Sequence, residues 1–361
     1  MLYTCGPAVS RNAATALKRT RASAAMRKTF TVDIHCHVFT PEADELVRPS
    51  YNPARDAMAA FSNDATRAAS RRQAEDIRPL LASVERRLSD MDKMGIDVQA
   101  ISTGPQQFYY WADPDLGRQA ARLINNRIAE IVHQHPRRFV GLATVPLQAP
   151  ELAVAELERA VKQLGFHGVE ICTNVAGEEL SHERFRPFFA KAQELDALIF
   201  MHPNGFTQGQ RLSEHYFINV IGNPLDSTVA VSHLIFGGVL DAYPKLKICI
   251  AHGGGFLPAY SGRMDHAHGA RSDCRLCITK KPTSYLKRLY FDTIVFTADQ
   301  LEYLVAQYGS DHILLGTDYP FDMGMYDPLA FVEGAKKLKR ADREAIVGRN
   351  AARLLKIRPP K

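Results

Sequence analysis

The chain has 361 residues, of which 46% are apolar and 23% charged, and this is the composition of a globular protein with a large core. The net charge is +6, but six basic residues lie within the first 28 positions, so the remainder is close to neutral. A nucleic-acid-binding surface is therefore not expected. No apolar run reaches the ~18 residues that a membrane-spanning helix requires.

The first 28 residues differ from the rest because they are rich in Ala, Arg, Ser and Thr and contain no acidic residue. We expect residues 1–28 to be a disordered extension or the product of a mis-assigned start codon, since Met26 lies just before the first predicted strand; a transit peptide is the alternative. Residues 29–361 are predicted to form a single domain. The six cysteines are scattered and indicate free thiols in a reducing, cytoplasmic environment.

Short apolar runs alternate with helical patterns from residue 30 to the end of the chain. The predicted strands are 30–37, 98–102, 139–145, 168–171, 198–202, 246–252, 289–293 and 313–318. The predicted helices are 116–133, 150–164, 185–195, 226–242 and 299–308. Eight strands alternating with helices predict an α/β fold, a (β/α)8 barrel of the TIM type. The polar segments 40–82 and 203–225 are predicted loops at the catalytic face, the first a lid or insertion after strand 1.

Potential metal ligands stand at the ends of four predicted strands. His35 and His37 are two residues apart, so in a strand their side chains point to the same face. His202, His252 and Asp318 end three other apolar runs. Because the carboxyl ends of barrel strands meet on one face, these side chains predict one mononuclear metal site open to substrate.

Short motifs along the chain resemble the decarboxylase branch of the amidohydrolase superfamily, typified by 2-amino-3-carboxymuconate 6-semialdehyde decarboxylase. The motifs are Asp-Ile-His-Cys-His at 33–37, Arg-Leu-Ser-Asp-Met-Asp at 87–92, Gly-Ile-Asp at 95–97, Pro-Arg-Arg-Phe-Val-Gly-Leu at 136–142, Val-Pro-Leu-Gln at 145–148, His-Pro at 202–203, Ala-His-Gly-Gly-Gly at 251–255, Gly-Arg at 262–263 and Gly-Thr-Asp-Tyr-Pro-Phe at 316–321. The resemblance extends from about residue 30 to residue 356.

The resemblance implies a role for several residues. It implies that one Zn²⁺, with Mn²⁺ as the alternative, is bound by His35, His37, His202 and Asp318. It implies acid–base catalysis by His252, and we count Asp318 among the catalytic groups as well. It also implies a homodimer in which Arg263 reaches the site of the neighbouring subunit. There Arg263 binds a substrate carboxylate, and we count it among the catalytic residues.

The sequence departs from the family in the predicted substrate pocket. The position of the family's second carboxylate-binding arginine is Glu75 here; Arg78 is the preferred replacement, and the alternatives are Arg71 and Arg72. A tryptophan often found after His-Pro is Asn204. Phe108 and Trp111 are predicted to line the substrate pocket.

The resemblance implies a metal-dependent decarboxylase that releases CO2 from a carboxymuconate semialdehyde or a hydroxylated aromatic acid. The expected partner is a small-molecule carboxylate, without an organic cofactor. One alternative is a metal-dependent hydrolase of an amide, lactone or related bond on the same scaffold, and a non-catalytic metal-binding protein is another. A second zinc site is a further alternative, built from His266, His268, Cys274 and Cys277.

Overall fold

The computed structural model describes residues 22–23 and 26–358. Eight parallel strands form one sheet in which each strand pairs with the next along the chain. They are β1 (Val32–Val38), β2 (Val98–Thr103), β3 (Phe139–Ala143), β4 (Gly168–Cys172), β5 (Leu198–His202), β6 (Lys247–Ile250), β7 (Tyr290–Asp292) and β8 (Ile313–Leu314). All eight predicted strands are present, most of them with ends shifted by a few residues.

The residues after β8 close the sheet into a barrel. Ile34 donates a backbone hydrogen bond to Leu315 O, and His37 donates one to Tyr319 O, both at 2.8 Å. This segment pairs with β1 but lacks a regular ladder, because Asp318 has a left-handed backbone with φ of 56°. The predicted (β/α)8 barrel is therefore confirmed, with β8 much shorter than the predicted strand.

Helices surround the barrel and connect its strands. Between β1 and β2 the α-helices are Pro41–Val47, Ala57–Ala60, Asp64–Ala82 and Val84–Met94. Between β2 and β6 they are Pro114–Gln134, Pro150–Lys162, Arg186–Glu194, Phe217–Val220, Gly222–Phe236 and Val239–Ala242. After β6 they are Leu257–Tyr260, Gly262–Ala270, Pro282–Leu286, Ala298–Tyr308, Pro328–Gly334, Arg340–Glu344 and Asn350–Leu354, with a π-helical segment at Ala345–Arg349. A short hairpin of Asn174–Val175 and Glu178–Glu179 follows β4.

Two apolar clusters fill the structure. The larger joins strands to helices, for example through Ile128, Leu157 and Phe188. The smaller combines residues from several strands, including Phe200, with Ala351 and Leu354 of the last helix. Burial of such side chains supplies most of the driving force for folding.

Two predictions concern the N-terminal extension and the segment after β1. The predicted extension 1–28 lies largely outside the described residues. The segment 40–82, predicted to be a loop, is largely helical, so the insertion after β1 is a set of helices. Within the described part of the chain, we find no helix that is both long and apolar enough to span a membrane.

Candidate metal centre

A β-bulge in β1 orients the first two histidines. Asp33 pairs with Gln99 of β2 and Cys36 pairs with Ile101, so β1 has one residue more than β2 between these pairs. The extra residue changes the alternation of side chains along the strand. The Nε2 atoms of His35 and His37 face each other, whereas the Asp33 carboxylate accepts a hydrogen bond from Gln99.

Four side chains bring one ligand atom each to a common point. Ligand atoms of His35, His37, His202 and Asp318 all lie within 4.8 Å of one another, and all four residues are buried. Nε2 of His35 lies 3.1 Å from Nε2 of His37 and 3.3 Å from Oδ1 of Asp318. Nε2 of His202 and Oδ1 of Asp318 are buried and have no hydrogen-bond partner.

The outer ring nitrogen of each of these three histidines is already paired. Nδ1 of His35 lies 2.6 Å from Oδ2 of Asp292, and Nδ1 of His37 lies 2.9 Å from the carbonyl oxygen of Thr103. Nδ1 of His202 lies 2.7 Å from the carbonyl oxygen of Pro203. An acceptor at Nδ1 places the proton there and directs the lone pair of Nε2 inward. With the unpaired inward atoms, this donor set fits a divalent metal ion.

Opposing effects set the charges in this cluster. Burial alone would lower the pKa of His35, but the carboxylates of Asp318 and Asp292 outweigh burial and raise it to about 10. Burial alone would raise the pKa of Asp318, but the adjacent histidines, His35 first, hold it well below its usual value. Burial, together with the neighbouring histidines, lowers the pKa of His202 well below its usual value. Without an ion, the His35 ring therefore holds a proton between the two carboxylates, and a bound cation would replace that proton at Nε2.

His252 faces this cluster without joining it. Its Nε2 lies 3.8 Å from Oδ2 of Asp318, and its ring centre lies 4.9 Å from that of His202. Its Nδ1 is buried and has no hydrogen-bond partner. Unlike the three clustered histidines, its ring is not tied to an outer acceptor, so it is free to exchange a proton.

The glycines after His252 hold it in place through an unusual backbone. His252 has φ of 55°, and Gly253, Gly254 and Gly255 also have positive φ, which glycine adopts without steric cost. A Cβ on Gly255 would lie 2.2 Å from the carbonyl oxygen of Pro224. The motif therefore serves a close backbone approach beside the cluster.

A buried polar network supports β1 from behind the cluster. Arg87, which is 2% exposed, donates to the carbonyl oxygen of His37 and to Oε1 of Gln99 at 3.1 Å. Gln99 donates to Oδ2 of Asp33, which also accepts from the hydroxyl of Thr317 at 2.6 Å. Burial raises the pKa of Asp33 to about 6. The network links β1 and β2 to the segment that carries Asp318.

Sequence reasoning missed two buried carboxylates. Asp292 ends β7 and accepts from both His35 and the backbone N–H of Gly253, the latter at 2.8 Å. Oε1 of Glu170, in β4, lies 3.7 Å from Nδ1 of His37. Neither carboxylate oxygen of Glu170 has a hydrogen-bond partner, and burial raises the pKa of Glu170 to about 7. The available signal was the same as for the ligands, an acidic residue at or near the carboxyl end of an apolar run.

Among the described residues, the predicted substrate residues make no hydrogen bond, ion pair or ring contact with the four clustered side chains. Arg78 and Arg263 are exposed, and neither side chain makes a hydrogen bond or ion pair with a described residue. Phe108 is buried and stacks on Tyr110, with ring centres 5.6 Å apart. Trp111 packs edge-on against Tyr51 of the insertion at 5.7 Å.

The alternative of a second zinc site receives no structural support. Among the described residues, no other group of three His, Cys, Asp or Glu side chains brings its ligand atoms together. Cys274 and Cys277 are free, and the first is only partly buried while the second is exposed.

Sequence comparison places this site in a known family. The model of a family described as amidohydrolase matches residues 32–357, so the chain belongs to that family. The chain is 34% identical over 276 residues to a 2-amino-3-carboxymuconate-6-semialdehyde decarboxylase of Dictyostelium discoideum, covering 76% of this chain and 77% of the relative. The predicted family resemblance is thereby confirmed.

Solved structures agree with this assignment. A 5-carboxyvanillate decarboxylase from Sphingomonas paucimobilis superposes with a TM-score of 0.82 at 24% identity, over 91% of this chain and 100% of that one, and shows the shared fold. A dihydroxybenzoic acid decarboxylase from Polaromonas sp. JS666, with bound manganese and the inhibitor 2-nitroresorcinol, superposes with a TM-score of 0.78 at 26% identity. That match covers 91% of this chain and 97% of the other.

Proposed function

We propose that this protein is a metal-dependent decarboxylase that releases CO2 from a carboxymuconate semialdehyde or a hydroxylated aromatic acid. The observation that carries this proposal is the convergence of four inward ligand atoms with one untethered histidine beside them. The decarboxylase relatives add support for CO2 release over the hydrolase alternative.

The ligands that we assign to the metal are His35, His37, His202 and Asp318. Zn²⁺ and Mn²⁺ both suit imidazole and carboxylate ligands, and the manganese of the Polaromonas relative makes Mn²⁺ a strong candidate. When bound, the ion would act as a Lewis acid toward a substrate oxygen.

We assign the transfer of the proton to His252. Decarboxylation replaces a carboxyl group by hydrogen, so a proton must reach the carbon that carries the carboxylate. The His252 ring would deliver it; the C–C bond to the carboxylate then breaks, CO2 leaves, and the bonding electron pair restores the conjugated system. Asp318, with Oδ2 3.8 Å from Nε2 of His252, would stabilise the protonated ring.

Substrate binding by arginine requires a second subunit in this proposal. Four aromatic side chains in or next to the helices Leu257–Tyr260 and Ala298–Tyr308 are exposed, and we call them the aromatic patch: Phe256, Tyr260, Phe296 and Tyr303. The hydroxyl of Tyr303 donates to Pro258 O at 2.8 Å, which ties the two helices of the patch together. Exposed aromatic groups are enriched at protein interfaces. We infer a homodimer through this patch that carries Arg263 to the site of the other subunit.

Two further assignments accompany the proposal. The described cysteines are all free, which fits a reducing compartment such as the cytoplasm. Residues 29–361 would act as one catalytic domain, with Arg78, Phe108 and Trp111 at the outer part of the substrate pocket and the insertion after β1 as its lid.

The test is CO2 release by purified protein of known metal content. The panel holds 2-amino-3-carboxymuconate 6-semialdehyde and several hydroxybenzoates. Release of CO2 from one member supports the proposal and identifies its substrate class. Hydrolysis of an ester, lactone or amide, with no CO2 from any acid, would instead favour the hydrolase alternative.

A further inference from the structure

An arginine is buried behind the metal centre without a carboxylate partner. Arg87 lies on the helix Val84–Met94 and is 2% exposed. Its guanidinium donates to two neutral acceptors, and no carboxylate of the described residues forms an ion pair with it. Burying a charged group without an ion-pair partner costs free energy, and apolar side chains stabilise a core at least as well. Stability of the fold alone therefore does not account for Arg87.

The two acceptors of Arg87 lie in the first two strands of the barrel. One terminal guanidinium nitrogen donates to the carbonyl oxygen of His37, and the other donates to Oε1 of Gln99 at 3.1 Å. The side-chain amide of Gln99 in turn donates to Oδ2 of Asp33 at 2.9 Å. Because His37 is one of the assigned metal ligands, Arg87 holds the backbone of a ligand directly.

The same guanidinium covers the ring of Tyr319, the residue after Asp318. Its central carbon lies 4.8 Å from the ring centre, which is within the range of a cation–π contact. The hydroxyl of Tyr319 donates to Oδ2 of Asp90 at 3.0 Å. Asp90 follows Arg87 by three residues and so lies on the same side of the helix. One helix therefore holds this ring at both its face and its hydroxyl.

These contacts bear on Asp318, whose backbone has an uncommon conformation. Its φ is 56°, which a residue other than glycine keeps only where its surroundings impose it. On the N-terminal side, the hydroxyl of Thr317 donates to Oδ2 of Asp33 at 2.6 Å. On the C-terminal side lies the ring that Arg87 covers. Asp318 is thus held between two anchored neighbours, with Oδ1 3.4 Å from Nε2 of His37.

We propose that Arg87 is a positioning residue of the metal centre. It binds the carbonyl group of His37 and covers the ring of Tyr319, so it fixes β1 relative to the segment after β8. In this way it sets the spacing between the His37 imidazole and the Asp318 carboxylate. Groups that orient metal ligands from behind contribute to metal affinity. The inference rests on the metal centre of the proposed function and adds a residue that touches neither the ion nor the substrate.

The test compares Arg87→Met with the matched control Arg138→Met. Arg138 also donates to two backbone carbonyl groups, Asp97 O at 2.9 Å and Ile96 O at 3.1 Å, but it precedes β3 at the opposite end of the barrel. Competition with a chelator, well below the melting temperature, gives the Kd of Mn²⁺ for each folded protein. We expect Arg87→Met to bind Mn²⁺ about 10- to 100-fold more weakly than the wild type. Arg138→Met should bind Mn²⁺ as the wild type does.

Two further readouts separate positioning from stability. The electron paramagnetic resonance spectrum of bound Mn²⁺ depends on the arrangement of its ligands, so it should change in Arg87→Met and keep its shape in Arg138→Met. If Arg87→Met does not fold, the ring that it covers provides a second comparison. Tyr319→Leu removes the ring and should bind Mn²⁺ more weakly than Tyr319→Phe, which keeps it. Equal Mn²⁺ affinity in these two variants would contradict the inference.

The outcomes separate this inference from the proposed function, because Mn²⁺ binding and CO2 release are measured independently on the same samples. Wild-type affinity and spectrum in Arg87→Met overturn the role of Arg87, even if the wild type releases CO2. An equal loss of affinity in Arg138→Met also overturns it, since the effect would then follow from lost stability. Weaker binding in Arg87→Met alone, without CO2 release by the wild type, supports the role of Arg87 and overturns the proposed reaction.

Discussion

At the scale of single residues, the histidines of the site differ in whether their Nδ1 atom has a hydrogen-bond partner. Nδ1 of His202 is held by the carbonyl oxygen of Pro203, whereas Nδ1 of His252 has no partner. We predict that His252→Ala keeps its metal and loses about 10²- to 10⁴-fold in turnover, the usual loss when a general acid is removed. His202→Ala, the matched control, should lose the metal. Metal analysis and CO2 assays on both variants check this, and metal loss in His252→Ala would make His252 a ligand.

Asp292 is predicted to act on metal affinity through His35. Its replacement in Asp292→Asn removes the charged acceptor that orients His35, and such outer partners are worth about 10- to 100-fold in metal affinity. Asp226→Asn is the control, because Asp226 is a buried carboxylate that accepts from Asn174 and touches no cluster residue. Competition with a chelator measures both affinities. Equal affinities in the two variants would show that Asp292 does not orient His35.

The residues found from sequence and those missed occupy similar positions in the barrel, and both sets contain an aspartate at the end of an apolar run. His35, His37, His202, His252 and Asp318 were accessible because each ends an apolar run that became a barrel strand. Asp292 and Glu170 occupy comparable positions, but their partners come from other strands, and sequence spacing carries no information on such contacts. The bulge in β1 was also hidden, since it depends on pairing with β2.

At the scale of elements, the strands were predictable and the insertion was not. The segment Asp64–Ala82 has few apolar residues and only Thr66 and Ile77 buried, so it lacks the periodic pattern of a packed helix. Its five Ala and four Arg residues nonetheless favour a helix, and the Asn63 side chain caps it by accepting from Thr66 N at 2.9 Å. The predicted helix 226–242 is two helices, because Gly238 has φ of 73° and interrupts it.

The glycine turn after β6 gives a test at this scale. Gly255→Ala forces a Cβ to within 2.2 Å of Pro224 O at a positive φ, and we expect a loss of about 2–4 kcal/mol in the free energy of unfolding. Gly269→Ala is the control, since nothing lies within 4 Å of its Cβ position in a helix. That change should stabilise the protein by about 0.5–1 kcal/mol. Thermal unfolding measures the stability of both variants, and equal melting temperatures would contradict the close approach at Gly255.

At the scale of the whole molecule, the aromatic patch makes the oligomeric state testable. Tyr260 is 70% exposed in the single chain, so Tyr260→Asp should leave the fold intact and break the proposed dimer. Light scattering should then give a monomer, and KM should rise because Arg263 no longer reaches the other subunit. Leu123→Asp, at an exposed position on the helix Pro114–Gln134, should remain dimeric. A wild type that is monomeric at micromolar concentration would contradict the dimer.

The most direct test of a metal-dependent decarboxylase is the dependence of CO2 release on the metal. Protein stripped with a chelator is assayed with the accepted acid before and after one equivalent of Mn²⁺ or Zn²⁺ per chain is restored. We predict no CO2 without metal and full release once one site per chain is filled. Undiminished CO2 release by the metal-free protein would contradict a metal-dependent decarboxylase.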